Sequence, residues 1–282
     1  MVGTGNMAGR TVVMTGGNSG IGLVAARELA RQGARVVLAC RDSDKTRAAL
    51  TDINTTAATP AINLAVDLAS LDSVRALAAA VLAACPRIDV LINNAGLFPS
   101  SQQTTADGFE MQFGVNHLSH FLLTELLRER LIESAPARVI TVSSMLHKRG
   151  QMDFDSFRGV ARYSANAAYG QSKLANVLFA LELAERLAGT GVTSNVLHPG
   201  GVATDITRDL PWLVRKLIGL VFISPEQGAR TTLMLATDPE LATTTGVYYD
   251  QCKLAHVAPA ARDAALRARL WQVSASLAGV PC

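Results

Sequence analysis

The stretch Thr11-Val12-Val13-Met14-Thr15-Gly16-Gly17-Asn18-Ser19-Gly20-Ile21-Gly22 decides the fold. Its first five residues read as one short buried strand, and a helical apolar period begins at Ile21 and runs to Gln32. Between them lies a glycine turn. A strand that ends in such a turn and opens a helix is the context in which free N–H groups at a helix start receive a phosphate. Gly16 suits a tight turn, Gly20 a close backbone approach, and Gly22 close packing of the helix. With 22 glycines in the chain, an ordinary glycine turn is the plainer alternative.

The same alternation continues outward. Arg35 to Cys40, Ile62 to Val66, Val90 to Ile92, Arg138 to Val142, Ser194 to Leu197 and Val247 to Tyr249 read as further short strands. Leu71 to Ala84, Phe109 to Arg130 and Ala167 to Leu187 carry apolar residues at helical spacing without internal proline. Stacked βαβ units of this kind predict an α/β Rossmann fold, a doubly wound parallel sheet of about seven strands with helices on both faces. No linker or repeat divides the 282 residues, so residues 1–282 are read as one domain. Its cofactor half runs over about 8–142 and its catalytic half over about 143–282. Segments 145–166 and 200–223 are too long for plain connections and are expected to carry function.

Composition excludes several classes. A chain of this length removes roughly 75% of its unfolded surface from water, which makes disulfides or a structural metal unnecessary for a core. Net charge is +3 and spread along the chain, so a nucleic-acid partner is not expected. Cys40, Cys85, Cys252 and Cys282 form no CxxC pair, which signals neither a zinc site nor a disulfide framework. No apolar run reaches the length of a membrane span, and the first ten residues lack the apolar core of an export signal. A cytoplasmic location is the expectation.

The end of the second strand, Ala39-Cys40-Arg41-Asp42, separates two dinucleotides. A carboxylate there accepts from a ribose hydroxyl, whereas an arginine pairs with a 2′-phosphate. Asp42 lies 20 residues beyond Gly22, at the spacing of a ribose acid, but Asp42-Ser43-Asp44 also reads as a helix cap. Arg41 is therefore read as the phosphate clamp, and NADP(H) is expected over NAD(H). Farther on, Tyr169 and Lys173 are four apart and share one face of a helix. A unit charge about 4 Å from a phenol is worth roughly 4 kcal/mol at an effective dielectric near 20, or about 3 pK units before desolvation opposes it. Lys173 is thus expected to bring Tyr169 toward neutral pH. Taken alone, such a pair also occurs by chance on exposed helices.

In conjunction the motifs resemble the short-chain dehydrogenase/reductase family over nearly the whole chain. They are, in order, Thr15 to Gly22, Asp67-Leu68, Asn93-Asn94-Ala95-Gly96, Asn116, Val142-Ser143-Ser144, Tyr169 with Lys173, and His198-Pro199-Gly200. The resemblance implies hydride transfer between NADP(H) and an alcohol or carbonyl carbon, without metal. Tyr169 would be the general acid/base on the substrate oxygen, and Ser144 would hold that oxygen. Lys173 would lower the phenol's pKa and bind the nicotinamide ribose, while Asn116 would support a water beside Lys173. Coenzyme contacts would come from Gly16, Asn18, Ser19, Gly20, Ile21 and Gly22 in the first turn, and from Arg41. Asp67 and Leu68 would meet the adenine edge, and Asn94, Ala95 and Gly96 the adenosine ribose. Pro199, Gly200, Val202 and Thr204 would line the nicotinamide end, together with Tyr169 and Lys173.

Ala39 to Asp42, Val115 to Phe121, Ser172 to Asn176 and the 25-residue interval from Ser144 to Tyr169 are similar to the retinol-dehydrogenase-like branch. The stretch Pro211 to Phe222 is amphipathic enough to lie on a membrane surface, whereas the resemblance implies a substrate lid there. Lipophilic ketones, aldehydes or alcohols are therefore the expected substrates. A secondary-metabolism ketoreductase and a non-catalytic NADP(H)-binding regulator remain the rival readings. His117 and His120 are three apart, but no third ligand completes a metal site in the sequence. His147 and His198 are read as packing or solvent-facing residues. Homo-oligomers through the helices holding Asn116 and Tyr169 are a further expectation from the resemblance, with a monomer, which the branch with the long insertion also includes, as the alternative.

Overall fold

A computed structural model describes residues 6–200 and 224–281. Strands β1 (Thr11–Thr15), β2 (Arg35–Cys40), β3 (Ile62–Ala65), β4 (Val90–Asn93), β5 (Ala137–Val142), β6 (Val192–His198), β7 (Tyr248–Asp250) and β8 (Lys253–Leu254) form one sheet in the order β3-β2-β1-β4-β5-β6-β7-β8. β1 to β7 run parallel, as the alternation implies. β8 adds an antiparallel edge that the sequence reading lacks. It is two residues long and follows Gln251 and Cys252, both at positive φ, so neither glycine nor asparagine marks the turn. The strand order reverses between β1 and β4, which opens a crevice at the carboxyl ends of the strands.

The helices are α1 (Gly20–Arg31), α2 (Asp44–Asn54), α3 (Leu71–Ala84), α4 (Met111–Phe113), α5 (Ser119–Glu133), α6 (Ala165–Arg186), α7 (Pro225–Thr237) and α8 (Ala264–Ala278). Alternation along the buried strands feeds two apolar layers. Val12 and Met14 pack with Ala25 and Leu29 of α1 and Leu233 of α7, while Val13 packs with Val74 of α3, Leu122 of α5 and Leu178 of α6. α7 and α8 are additions to the sequence reading. The start of α7 carried a legible signal, since Ser224 and Gln227 form a reciprocal capping box around Pro225.

One expected helix is broken. Instead of running from Phe109 to Arg130, the chain makes the short α4, a π-helical turn at Gly114–Leu118, and then α5. The Glu110 carboxylate starts α4 by accepting from the N–H groups of Gln112 (3.0 Å) and Phe113 (2.8 Å). The long insertion opens with a 3-10 turn at Met145–Arg149 and is pinned to α6. A Cβ on Gly150 would lie 2.2 Å from the Gly170 carbonyl, and Gln171 bonds both Asp153 N (2.8 Å) and Ser156 Oγ (2.8 Å).

α8 covers α5 and α6. The Trp271 ring meets Phe121 edge-on at 4.9 Å and stacks with Phe179 at 5.8 Å, and Ser274 Oγ pairs with His117 Nε2 at 2.9 Å. Residues 169–180 of α6 are consequently buried on every side within one chain. Among the described residues, no helix is long and apolar enough to cross a membrane. The lid reading over 211–222 lies outside the described residues.

Candidate active site

The carboxyl end of β1 builds a cradle of backbone groups. A Cβ on Gly22 would lie 2.2 Å from the Gly16 carbonyl, so only glycine allows α1 to start this close to the turn. Ser19 precedes α1 in an extended conformation, and its hydroxyl makes no cap bond, which leaves the first-turn N–H groups open to an acceptor. Gly20 turns the chain at φ 51, and Ile21 lies half-buried against the α1 layer. Asn18 Nδ2 donates to Thr46 Oγ1 (2.8 Å), which in turn donates to the Arg41 carbonyl (2.7 Å), tying the glycine turn to the end of β2.

Arg41 itself is exposed, and its guanidinium has no ion-pair or hydrogen-bond partner among the described residues. Asp42 is held by Arg47 at 2.6 Å, and Ser43 caps α2 by accepting from Thr46 N at 3.2 Å. The carboxylate at the ribose-acid spacing is thus drawn to another cation. Asp67 is exposed and accepts from Ala69 N through Oδ1 at 3.0 Å, with Leu68 half-buried beside the core. Asn94 lies against the glycine turn. Its Nδ2 donates to the Thr15 carbonyl (2.9 Å) and the Gly16 carbonyl (3.2 Å), so this amide braces the glycine turn. Ala95 N and Asn94 N both donate to Thr15 Oγ1 at 3.0 Å. An open helix N-terminus, a cradle that a methyl group would fill and an arginine without a partner among the described residues together fit a dinucleotide phosphate.

The remaining residues meet across the crevice. Asn116 lies in the π-helical turn, a distortion frequent at functional sites. Its Oδ1 accepts from Leu97 N (2.8 Å), and its Nδ2 reaches the Leu97 carbonyl (3.1 Å) and Ser172 Oγ (3.0 Å). Tyr169 and Lys173 stand one turn apart on α6, with Lys173 Nζ 5.6 Å from the centre of the Tyr169 ring and 3.2 Å from the Val142 carbonyl. Ser144, two residues beyond β5, lies near enough to the Tyr169 phenol to favour its ionised form.

The expected fall in the phenol's pKa does not appear. Burial pushes Tyr169 up to about 12, and the Ser144 hydroxyl only partly opposes it. Burial likewise pulls Lys173 down to about 8. The sequence argument took the Coulombic gain of a neighbouring ammonium and set desolvation aside, whereas both groups are almost fully buried.

The sequence reading overlooked a second line of polar groups behind this face. His120, set aside as a bland residue, is completely buried and accepts from the Thr15 hydroxyl through Nε2 at 2.9 Å while Nδ1 donates to the Asn116 carbonyl at 3.0 Å. Thr15 Oγ1 already accepts two backbone N–H groups, so its own proton points to the ring. Burial lowers His120 to about 4, which keeps it neutral. The i,i+4 spacing of Asn116 and His120 was visible, but the partner 105 residues away was not. Phe98 was also missed, and meets the Tyr169 ring edge-on at 5.1 Å. Pro199 and Gly200 follow β6, with Gly200 at φ 97, and Val202 and Thr204 lie outside the described residues.

Comparison with known proteins agrees with this arrangement. Residues 10–212 match the family model described as short chain dehydrogenase. The chain is 45% identical to retinol dehydrogenase 14 of Homo sapiens over 98% of this chain and 88% of that protein. It is 47% identical to retinol dehydrogenase 12 of Mus musculus, covering 96% and 87%. Among solved structures, an uncharacterized protein from Mycobacterium paratuberculosis superposes with a TM-score of 0.79 at 37% identity, covering 99% and 97%. The NADP active-site complex of Pseudomonas aeruginosa RhlG does so with 0.72 at 28% identity, covering 87% and 95%. The chain belongs to the short-chain dehydrogenase family, resembles its retinol dehydrogenases, and is an oxidoreductase of the CH–OH/C=O class that uses a nicotinamide coenzyme.

Proposed function

We propose that this chain is an NADP(H)-dependent oxidoreductase acting on lipophilic aldehydes, ketones or their alcohols, with retinoids among the substrates to test first. The observation that carries the proposal is the meeting of Ser144 and Tyr169 hydroxyls beside the buried Lys173 ammonium. Two neighbouring hydroxyls can serve a carbonyl oxygen that gains negative charge as it is reduced. A phenol held near 12 stays protonated at neutral pH, which suits Tyr169 to give its proton to that oxygen. Nicotinamide, when bound, supplies or accepts the hydride.

Lys173 would hold the nicotinamide ribose and replace the phenol's proton through the water that Asn116 supports. The glycine turn and the start of α1 would take the pyrophosphate, and Arg41 the 2′-phosphate. Preference for NADP(H) is supported by Arg41, exposed and without a partner among the described residues, and by the pairing of Asp42 with Arg47. The names of the retinol dehydrogenase relatives support an apolar substrate. So do Phe98 against Tyr169 and Met145, which follows Ser144 directly and is 56% exposed.

The test is calorimetric binding of NADPH and NADH, followed by absorbance loss with retinal and a panel of apolar aldehydes and ketones. Tighter NADPH binding with turnover is expected, and Tyr169→Phe should bind NADPH but not turn over. Full activity in Tyr169→Phe, or tighter NADH binding, would overturn the reading.

A further inference from the structure

Ser143 ties the start of the turn to α6 and β6, through its hydroxyl to the Lys173 carbonyl (2.7 Å) and its N–H to the Leu197 carbonyl (2.7 Å), and the Ser144 carbonyl is held by one imidazole. The Ser144 carbonyl accepts from the backbone N–H of His147 at 3.0 Å and from its Nδ1 at 2.7 Å. On the other side of the ring, Nε2 accepts from the Ala258 N–H at 3.1 Å. A backbone amide only donates, so Nε2 must be bare and Nδ1 must carry the proton. Ala258 belongs to the segment that leaves β8, which is itself tied to the sheet edge by Ala255 N donating to the Tyr248 carbonyl at 3.0 Å. Tyr248 also packs on the His147 ring, with centroids 4.9 Å apart.

We propose that His147 is the positioning residue for Ser144: its neutral ring joins the Ser144 main chain to Ala258, so that the docked segment 255–258 sets the direction of the Ser144 hydroxyl. The proposal rests on the reading of Ser144 and Tyr169 given above. The Ser144 hydroxyl accepts from Leu146 N at 3.2 Å within the same turn, and it lies near enough to the Tyr169 phenol to lower that group's pKa. A shift of the turn moves the hydroxyl with it. Misplacement of a reacting group by about 1 Å costs up to about a hundredfold in rate.

Protonation breaks this bridge, because a second N–H at Nε2 would face the Ala258 N–H. Burial, opposed by the Ser144 carbonyl, lowers the pKa of His147 below the ordinary histidine value. The charged and titratable groups around it are Lys148 in its own turn, His198 on β6, and Tyr248 and Asp250 on β7. Lys173 on α6 acts on His198. Since burial depresses His198 as well, it needs its own control.

The experiment measures kcat and NADPH affinity across acidic to neutral pH in the full chain, using the carbonyl of the panel above that is reduced fastest. His147→Phe keeps an aromatic ring on Tyr248 and removes both side-chain bonds. It should lower kcat by about ten- to a hundredfold while leaving NADPH affinity within about twofold. His147→Asn restores a donor at the position of Nδ1 and should recover most of that loss. The acid limb of the wild-type kcat profile should be absent in His147→Asn and present in His198→Asn. Nitrogen-15 NMR of the wild-type chain should find His147 as the Nδ1–H tautomer at neutral pH. Wild-type kcat in His147→Phe, an acid limb that persists in His147→Asn, or an Nε2–H tautomer would each overturn the proposal. If His147→Phe does not fold, the asparagine profile and the tautomer decide. Ser144→Ala and Tyr169→Phe run alongside: activity in those two sinks the site reading, whereas their inactivity with fully active His147 variants sinks only the positioning role.

Discussion

Gly96 faces Lys173 so closely that a methyl group on its Cα would sit 3.2 Å from Nζ and 3.5 Å from Asn116 Oδ1. The absence of a side chain there gives the ammonium its place between the crevice and the Val142 carbonyl. Gly96→Ala should therefore displace Nζ while leaving the fold intact, since the atom that must yield is the end of a flexible chain. A fall in kcat of about tenfold or more is expected, because a misplaced group near the chemistry is costly. Unchanged kcat and unchanged NADPH affinity would show that the contact carries no function.

Arg41 is tested by its own removal. Arg41→Ala should weaken NADPH binding by about 1.5–3 kcal/mol, the range of a charge-assisted hydrogen bond, and leave NADH affinity nearly unaltered. Calorimetry with both nucleotides measures the preference directly. Equal losses for the two would remove the 2′-phosphate assignment.

Acid should destabilise the fold through two buried histidines. Burial lowers His117 to about 3 and His120 to about 4, against the ordinary histidine value of 6.5. Between those values the unfolded chain binds more protons than the folded one, so stability rises with pH through the window and is lost as pH falls from 6.5 toward 4. Urea midpoints measured over pH 4 to 7 should show this slope. His120→Phe should flatten it, and should also cost stability at pH 7 by leaving the Thr15 hydroxyl and the Asn116 carbonyl without their partner.

The sign is the same for Lys173 in a higher window. Its folded pKa of about 8 lies below the ordinary lysine value of 10.5, so the unfolded chain holds the extra proton between them and stability rises with pH over that range. At pH 7 the charged ammonium is a burden on the fold. Lys173→Met should raise the melting temperature at pH 7 by a few degrees while abolishing turnover. A melting temperature that falls would mean that the ammonium is a net stabiliser.

α8 bears on assembly. With residues 169–180 of α6 buried inside one chain and Trp271 seated on Phe121 and Phe179, the helices expected to pair two copies have no open apolar face. Light scattering should return the 29.8 kDa of one chain. A dimer cross-linked through α5 would contradict this.

The strands were legible because buried parallel strands are short runs of β-branched residues, and β1 and β2 have the bounds that their composition implies. The junctions of β1 with α1 and of β3 with α3, the cap that opens α2, and the 169/173 pair depend on local spacing, which sequence displays directly. The break of the expected helix at Gly114–Leu118 was not legible. That stretch keeps a helical apolar pattern, while the π turn comes with Asn116 drawn onto the backbone of Leu97 and with His120 reaching the Asn116 carbonyl. β8 was hidden for a similar reason, since its turn uses Gln251 and Cys252 in a conformation that those residue types do not announce.

The sequence by itself determined the parallel sheet, the glycine cradle and the identity of the groups in the crevice, because periodicity and spacing act over a few residues. Only the tertiary structure decided their electrostatic state and their supports. Burial, a property of the whole packed chain, raises Tyr169 and lowers Lys173. The bonds from His120 to Thr15 and from Ala258 to His147 join residues 105 and 111 positions apart, and such pairings leave no local trace in composition or period.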